Sequence, residues 1–191
     1  MVLPVELTSF VAAVDGGAVD LVWVTASETN NAGFEVESRR AADPAGWSKE
    51  AFVDGHGSTV SPRTYRFRID ELEPGRYAYR LKQVDFDGTF EYSDEIEALV
   101  EVPGVFVLEP AYPNPFNPST TVRFAVAVEQ EVIATLHDAS GRQVRELYRG
   151  SPPANDMQSI FVDGQGLASG SYILQLKGES FATSERLMLV K

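Results

Sequence analysis

The chain has 191 residues, 43% of them hydrophobic, and a formal net charge of −12. This length suits one large domain or two of ordinary size, and two domains of about 90–100 residues would each bury roughly two thirds of their unfolded surface. The acidic balance repels a phosphate backbone, so we expect no nucleic-acid partner. The chain has no cysteine, which excludes disulfides, thiolate nucleophiles and cysteine-ligated zinc sites.

Targeting and membrane signals are not visible in the sequence. No apolar run approaches the roughly 20 residues that a membrane helix needs, so we expect no membrane insertion. No signal peptide pattern stands at the start, where residues 2–7 instead look like the beginning of a domain. We interpret Met1 as an added residue and the chain as the C-terminal part of a longer protein.

Alternation of apolar and polar residues with a period of two dominates the first half, and no long stretch has a helical period. Turn-forming residues separate the alternating runs, and Asp54-Gly55-His56-Gly57 is one such predicted turn. Short strands with turns between them are typical of an antiparallel β-sandwich. The predicted strands cover residues 6–14, 18–25, 34–39, 47–53, 64–69, 77–84 and 89–102.

One segment refines this prediction. Leu72-Glu73-Pro74-Gly75-Arg76-Tyr77-Ala78-Tyr79-Arg80-Leu81 resembles the tyrosine-corner segment of fibronectin type III domains. The resemblance implies that the hydroxyl of Tyr77, at the start of the sixth strand, bonds back to the chain just upstream. Trp23 on the second strand is its expected partner in the core.

Pro103-Gly104 is the predicted domain boundary, because proline cannot donate to a strand ladder. The net charge also changes there, from −10 over residues 1–103 to −2 over residues 104–191. Alternation continues beyond it, with Val122, Phe124, Val126 and Val128 expected to point inward. Further strands are predicted at residues 132–137, 143–148, 159–162, 171–177 and 185–190. We therefore predict an all-β protein with two consecutive Ig-like or fibronectin-type antiparallel β-sandwiches, at residues 1–103 and 104–191.

Candidate chemistry is sparse. The two histidines, His56 and His137, fall in different predicted domains, and no nucleophile motif accompanies either. We expect both on the surface, no catalytic residues, and no enzyme. Asp85-Phe86-Asp87-Gly88 could begin a calcium loop, but the later ligand spacing of an EF-hand is absent. A hairpin turn is preferred there, so we predict no metal and no cofactor.

A carbohydrate-binding or adhesion module of a secreted polysaccharide-degrading enzyme is the alternative hypothesis. Trp47, Phe52, Tyr65 and Tyr92 are interpreted as exposed aromatic residues under this hypothesis, and such residues could stack on sugars. In strands with this pattern, however, most aromatic residues belong to the core. Polysaccharide is therefore kept only as a possible partner.

Four short motifs follow one another along the second half. The proline run beginning at Tyr112 fixes φ at three positions and removes three backbone donors, so it predicts a stiff, extended entry to the next strand. Asp138 to Arg142 predicts a turn. The motifs are Pro113-Asn114-Pro115, Asp138-Ala139-Ser140-Gly141-Arg142, Gly170-Ser171-Tyr172, and Arg186 together with the final Lys191.

In this order the motifs resemble the C-terminal sorting domain of proteins exported by the type IX secretion route. His137 stands where the family has an aromatic residue, and Arg186 stands near the position of a lysine. The resemblance covers about residues 108–191. It implies recognition by the outer-membrane export machinery, removal by a sortase-like protease, and a secreted or cell-surface location in a Gram-negative bacterium. It also implies an N-terminal passenger domain that is absent from this chain, with the fibronectin-like half as a spacer.

Overall fold

The protein is described by a computed structural model, which covers residues 5–41, 43 and 46–191. The chain divides into two compact units, Met1–Val100 and Glu101–Lys191. Strands and turns make up both units. The described residues form no helix, and so none that is long and apolar enough to cross a membrane. The prediction of an all-β protein built from antiparallel sandwiches is confirmed.

The first unit contains two sheets. One has the order β1-β2-β5, and the other has the order β4-β3-β6-β7 with β8 also paired to β6. All of these pairings are antiparallel. Its described strands are β1 (Leu7–Asp15), β2 (Ala18–Thr25), β3 (Glu28–Arg40), β4 (Ser48–Thr59), β5 (Arg63–Ile69), β6 (Gly75–Asp85), β7 (Phe90–Tyr92) and β8 (Ile96–Val100).

The second unit repeats this arrangement. Its sheets have the orders β13-β10-β9 and β12-β11-β14-β15. In both units, therefore, the first, second and fifth strands form one sheet, and the fourth, third, sixth and following strands form the other. Its described strands are β9 (Phe106–Leu108), β10 (Ser119–Val126), β11 (Val132–His137), β12 (Gln143–Gly150), β13 (Gln158–Asp163), β14 (Gly170–Gly178) and β15 (Ala182–Leu189).

Each unit has its own hydrophobic core between its two sheets. In the first unit Trp23 is fully buried, stacks on Tyr65 at 5.4 Å, and meets Phe34 edge-on at 5.6 Å. In the second unit the core is mostly aliphatic around Phe124 and Phe116. Burial of this kind stabilises a domain by about 25 cal/mol per Å² of apolar surface.

Several strand predictions were wrong in detail. β4 continues through Asp54-Gly55-His56-Gly57 to Thr59 and does not turn there. A Cβ on Gly55 would lie 2.6 Å from the side-chain nitrogen of Asn31, so this glycine permits close packing of β3 on β4. Val128 is 69% exposed, because β10 ends at Val126. The predicted strand 89–102 is two strands, β7 and β8, and β9 was missed.

The division between the units falls before Glu101, slightly ahead of the predicted boundary at Pro103-Gly104. Val102 is 5% exposed, and its N–H donates to the side-chain oxygen of Asn155 at 2.8 Å. Asn155 belongs to the second unit. The residues just before Pro103 are therefore tied to the unit that follows them.

Candidate functional site

The proline-rich segment lies along the outer edge of β15. The Phe116 N–H donates to the carbonyl of Met188 at 2.8 Å, and the Val190 N–H donates to the carbonyl of Phe116 at 3.0 Å. Phe116 is 2% exposed and forms a parallel bridge with Leu189. The segment is therefore an irregular extra strand, anchored by one buried aromatic ring.

Asn114 supplies the pairing that its neighbours cannot make. Pro113 and Pro115 have no N–H, so the backbone alone cannot continue the ladder there. The Asn114 side-chain nitrogen donates to the carbonyl of Arg186 at 2.8 Å, and its oxygen accepts from the N–H of Met188 at 2.9 Å. One donor and one acceptor fix the orientation of the amide. The side chain thus replaces a peptide group in the ladder.

The start of the same segment contacts both sheets. Tyr112 exchanges two backbone hydrogen bonds with Thr121 of β10, at 3.0 and 3.1 Å. The Glu185 carboxylate of β15 accepts a hydrogen bond from the N–H of Ala111. The segment therefore crosses the open side of the sandwich from one sheet to the other. It also covers an edge strand, which would otherwise present unpaired backbone groups.

The second motif is the turn between β11 and β12. The Gly141 N–H donates to the Asp138 carbonyl at 2.9 Å, and Gly141 has φ +83°, a region that glycine adopts readily. One Asp138 carboxylate oxygen accepts from the Ser140 N–H, the Ser140 hydroxyl and the Arg142 N–H. The other oxygen accepts from the Arg142 guanidinium at 3.0 and 3.1 Å. The motif is thus a self-contained turn closed by its aspartate.

Hydrogen bonding favours the ionised form of the Asp138 carboxylate. The bond from the Ser140 hydroxyl, with those from Arg142, holds the pKa of Asp138 below its ordinary value. His137 occupies the neighbouring position on β11. Its ring nitrogens lie 2.9 Å from the Thr135 hydroxyl and 3.2 Å from the Gly141 carbonyl. This ring therefore links the turn to β11 by hydrogen bonds.

The third motif is a tyrosine corner. Gly170 begins β14 with φ +153°, a conformation that residues with a Cβ rarely adopt. Tyr172 is 7% exposed, and its hydroxyl donates to the carbonyl of Ala168 at 2.8 Å. The bond pins the loop before β14 to the strand that it enters.

The last motif supplies two cations. The Arg186 guanidinium donates to the hydroxyl of Ser171 at 3.0 and 3.3 Å. Lys191 donates its ammonium to the carbonyl of Leu167 and its backbone N–H to the hydroxyl of Ser169. Both side chains are exposed. Arg186 therefore contacts the Gly-x-Tyr motif itself, and Lys191 contacts residues just before it.

Strand register places the four motifs at one end of a single sheet. His137 of β11 pairs with Ile173 of β14 and with Gln143 of β12. Gly170 pairs with Leu189, near the end of β15. In the order β12-β11-β14-β15, the Asp138 turn, the Gly170 corner and the chain end therefore lie side by side, and Asn114 lies on the flank of β15. The ten residues singled out in the four motifs therefore lie at this end of the sheet or beside it.

Arg145 belongs to the same region but was not expected from the sequence. Its guanidinium donates to the carbonyls of Asp163 at 2.7 Å and Gln165 at 3.2 Å. Lys191 holds the other side of the same loop, through Leu167. No local pattern marks Arg145, because its acceptors lie about twenty residues away on another loop.

Residues 110–191 match the family described as the secretion system C-terminal sorting domain. The second unit is a type IX secretion sorting domain. The resemblance inferred from the four motifs is confirmed. No curated protein matches the chain.

A crystal structure of dimeric latent PorU from Porphyromonas gingivalis is similar to the chain at 16% sequence identity, with a TM-score of 0.37. The match covers 98% of this chain and 20% of that one. The chain thus spans about a fifth of the length of that protein.

The unit that precedes the sorting domain has a tyrosine corner of its own. The Tyr77 hydroxyl donates to the carbonyl of Glu73 at 3.0 Å, and Gly75 has φ +154°. Trp23 lies in the core of the same unit, fully buried. The Gly-x-Tyr spacing and the bond to the fourth residue upstream are the same as at Tyr172. Both features are consistent with a fibronectin type III-like domain.

The buried carboxylate of Glu28 forms a hydrogen-bond network in the first unit. This network was not predicted from the sequence. Glu28 is 2% exposed and accepts hydrogen bonds from Thr25, Asn31, Tyr65 and the backbone N–H of His56. Burial acts to raise the pKa of Glu28, but these hydrogen bonds outweigh it and hold the pKa below its ordinary value. Burial and the Glu28 charge raise the pKa of Tyr65.

The structure also shows where His56 and the turn at residues 85–88 lie. His56 and the turn at residues 85–88 are exposed for the most part, and His56 contacts the Tyr65 hydroxyl at 2.8 Å. The Asp85 N–H donates to the Thr89 carbonyl, and Gly88 has φ +86°, which is a hairpin turn. Over residues 5–41, 43 and 46–191, no three His, Cys, Asp or Glu side chains are grouped to hold a metal ion.

The aromatic residues considered for sugar stacking have other contacts. Tyr65 is 6% exposed and lies in the core, so its assignment as a surface aromatic was wrong. Arg80 lies 4.2 Å from the ring centre of Trp47 and 4.0 Å from that of Tyr92. Lys49 lies 5.3 Å from the ring of Phe52. A cation therefore lies over one face of each of these three rings.

Proposed function

We propose that the chain is the non-enzymatic C-terminal module of a larger exported protein. The sorting domain directs the passenger across the outer membrane by type IX secretion, and the first unit is a fibronectin-like spacer. The observation that carries this proposal is the meeting of all four motifs at one end of the β12-β11-β14-β15 sheet. A receptor that binds this end of the sheet has the exposed residues of the motifs within reach together.

The arrangement suits a signal that is read in a folded state. The motif residues come from segments that begin at Pro113, Asp138, Gly170 and Arg186, so an unfolded chain would not present them together. Side-chain hydrogen bonds close the Asp138 turn and attach Asn114 to β15. Such preorganised groups lose little entropy when a partner binds.

The partners follow from this role. The outer-membrane export machinery binds the sorting domain, and a sortase-like protease then separates it from the passenger. The passenger remains secreted or attached to the surface of a Gram-negative bacterium. The first unit keeps the passenger at a distance from the sorting domain.

The test is an export assay in a host with type IX secretion. A fluorescent passenger that carries a signal peptide is fused ahead of residues 1–191. Two control fusions have the same signal peptide and passenger, one with no tail and one with residues 1–100 alone. We expect the first passenger at the cell surface or in the medium, and the two controls in the periplasm. A host that lacks the route should retain all three. Retention of the full fusion in the competent host, with the tail folded, would contradict the proposal.

A further inference from the structure

Three cations of the sorting domain contact only neutral oxygen atoms. Arg145 donates to two backbone carbonyls, Arg186 to a serine hydroxyl, and Lys191 to a carbonyl. In the described part of the chain no carboxylate forms an ion pair with these three side chains. By contrast, Arg123, Arg142 and Arg149 of the same unit each bond to a carboxylate. Those ion pairs are Arg123–Glu109, Arg142–Asp138 and Arg149 with Glu131 and Glu146.

The three cations surround one loop, which we call the corner loop and define as residues 163–171. Arg145 holds its beginning through the carbonyls of Asp163 and Gln165. Lys191 holds its middle through Leu167, and Arg186 holds its end through Ser171. These bonds restrict the side chains, so the positive charges have defined positions at the motif end of the sheet.

The acidic side chains close to the corner loop bond to groups other than these three cations. The Asp138 carboxylate is bonded to Arg142, and the Glu185 carboxylate to the N–H of Ala111. Asp163 accepts a hydrogen bond from the N–H of Gln165. Among the described residues, the motif end therefore holds three cations that lack an ion pair, in a chain whose net charge is −12. Cations held in place without an ion-pair partner are available to pair with carboxylates of one specific contact.

We infer that the corner-loop cations bind an acidic face of a protein partner, in which Asp and Glu carboxylates oppose Arg186, Lys191 and Arg145. This inference rests on the proposed function, since it describes the receptor that reads the sorting domain. Arginine bonds a carboxylate through two parallel N–H donors, which gives the contact a fixed geometry. An extended anionic surface such as a lipid bilayer fits less well, because the strongly acidic remainder of the chain would be repelled by it.

Charge reversal in the export assay tests the inference. The double variant Arg186→Glu with Lys191→Glu reverses two of the three charges, in the fusion that carries residues 1–191. Like charges across an interface cost enough free energy that we expect export to fall by about tenfold or more. The pair Arg186→Lys with Lys191→Arg keeps both charges but removes the two parallel donors of Arg186, so we expect its export to lie between those of the double reversal and the wild type.

Lys177 provides the matched control. It is an exposed lysine on β14, and it pairs with Ala182 and Ile133 at the opposite end of the same sheet. Lys177→Glu changes the net charge in the same direction, so it reports any general effect of charge. We expect export to remain within about twofold of wild type. Equal losses in Lys177→Glu and the double reversal would overturn the inference.

A titration with a defined probe separates this inference from the proposed function. Isotope-labelled residues 1–191 are titrated with a synthetic peptide of alternating Asp and Glu, and separately with vesicles of anionic lipid. We expect peptide-induced shifts of the backbone amide signals around Ser171, Arg186 and Lys191, and not around Lys177, with weaker binding as salt is added. Binding to vesicles without binding to the peptide would overturn the inference.

Failure of the acidic-partner inference and failure of the proposed function give different results in these experiments. Export of the wild type together with undiminished export of the double reversal leaves the proposed function standing and overturns the acidic partner. Failure of wild-type export overturns the proposed function, and the peptide titration then decides the contact alone. Absence of peptide shifts at the corner loop counts against the inference in either case.

Discussion

The side chain of Asn114 accepts a hydrogen bond from the backbone N–H of Met188, a residue 74 positions later in the chain. Its amide nitrogen donates to the carbonyl of Arg186. The first and last sorting motifs are therefore parts of one edge of one sheet. An asparagine between two prolines is the residue that makes this possible, because its side chain replaces the missing backbone donor.

Replacing Asn114 by alanine should destabilise the sorting domain by about 1 kcal/mol, because two hydrogen bonds at an exposed edge are lost. Urea unfolding followed by far-ultraviolet circular dichroism would measure it. Both tryptophans, Trp23 and Trp47, lie in the first unit, so tryptophan fluorescence should not change. Asn117→Ala in the same segment is the control and should have little effect. Equal losses for the two variants would contradict the bridging role of Asn114.

The two tyrosine corners allow a reciprocal prediction. Tyr77→Phe and Tyr172→Phe each remove one hydroxyl that bonds to the carbonyl four residues upstream. Each should lower the stability of its own unit by about 1 kcal/mol. The Tyr77 variant should shift the unfolding transition seen by tryptophan fluorescence. The Tyr172 variant should shift only the remaining transition seen by circular dichroism. A fluorescence shift in the Tyr172 variant would refute this assignment.

Glu28→Gln should be strongly destabilising for the first unit. The carboxylate accepts four hydrogen bonds, and a glutamine amide replaces one acceptor by a donor facing other donors. Buried unsatisfied groups cost about 1–3 kcal/mol, so a loss of about 2 kcal/mol is expected in fluorescence-detected unfolding. Glu97→Gln, at an exposed glutamate of β8, is the control. A loss no greater than that of Glu97→Gln would contradict the buried network.

The lowered pKa of Asp138 predicts that the stability of the sorting domain depends on pH. Its pKa is lowered in the folded protein, mainly by the Ser140 hydroxyl. The carboxylate therefore stabilises the fold above its unfolded pKa of about 4, and this contribution is lost as the pH falls through the folded pKa. The stability difference between wild type and Asp138→Asn should be largest near neutral pH and shrink below about pH 4. Melting temperatures measured across pH would show this, with Asp156→Asn as the control. A difference that is constant with pH would refute it.

Alternation of apolar residues predicted much of the fold. Strands β2 and β11 have the bounds that the pattern indicates, because buried and partly buried residues alternate along almost all of each strand. Residues 28–33 were not predicted as strand, since Asn30, Asn31 and Gly33 have turn composition. Tertiary contacts override that local preference, because Asn31 is fully buried and donates to Glu28.

The motifs indicated which residues matter in the sorting domain, but not how they fit together. The bond between Asn114 and Met188 joins positions far apart in the chain, and no local pattern reports it. Arg145 was missed for the same reason, since it contacts backbone carbonyls of the corner loop. Backbone acceptors are present at every residue and leave no mark in a sequence.

The central claim is that the export machinery reads the motif end of the β12-β11-β14-β15 sheet. Its most direct test compares export by two arginine variants at opposite ends of β12. Arg142 and Arg149 are both exposed arginines paired with a nearby carboxylate, Asp138 and Glu146 respectively. Arg142 stands at the motif end of β12, and Arg149 stands at its other end. Exposed pairs of this kind contribute about 0–1 kcal/mol, so alanine at either position should leave the domain folded.

Passenger at the cell surface is measured for Arg142→Ala and Arg149→Ala in the fusion that carries residues 1–191. If the motif end of the sheet is the surface that the export machinery reads, export falls in Arg142→Ala and stays at the wild-type level in Arg149→Ala. Equal export by the two folded variants would contradict the claim.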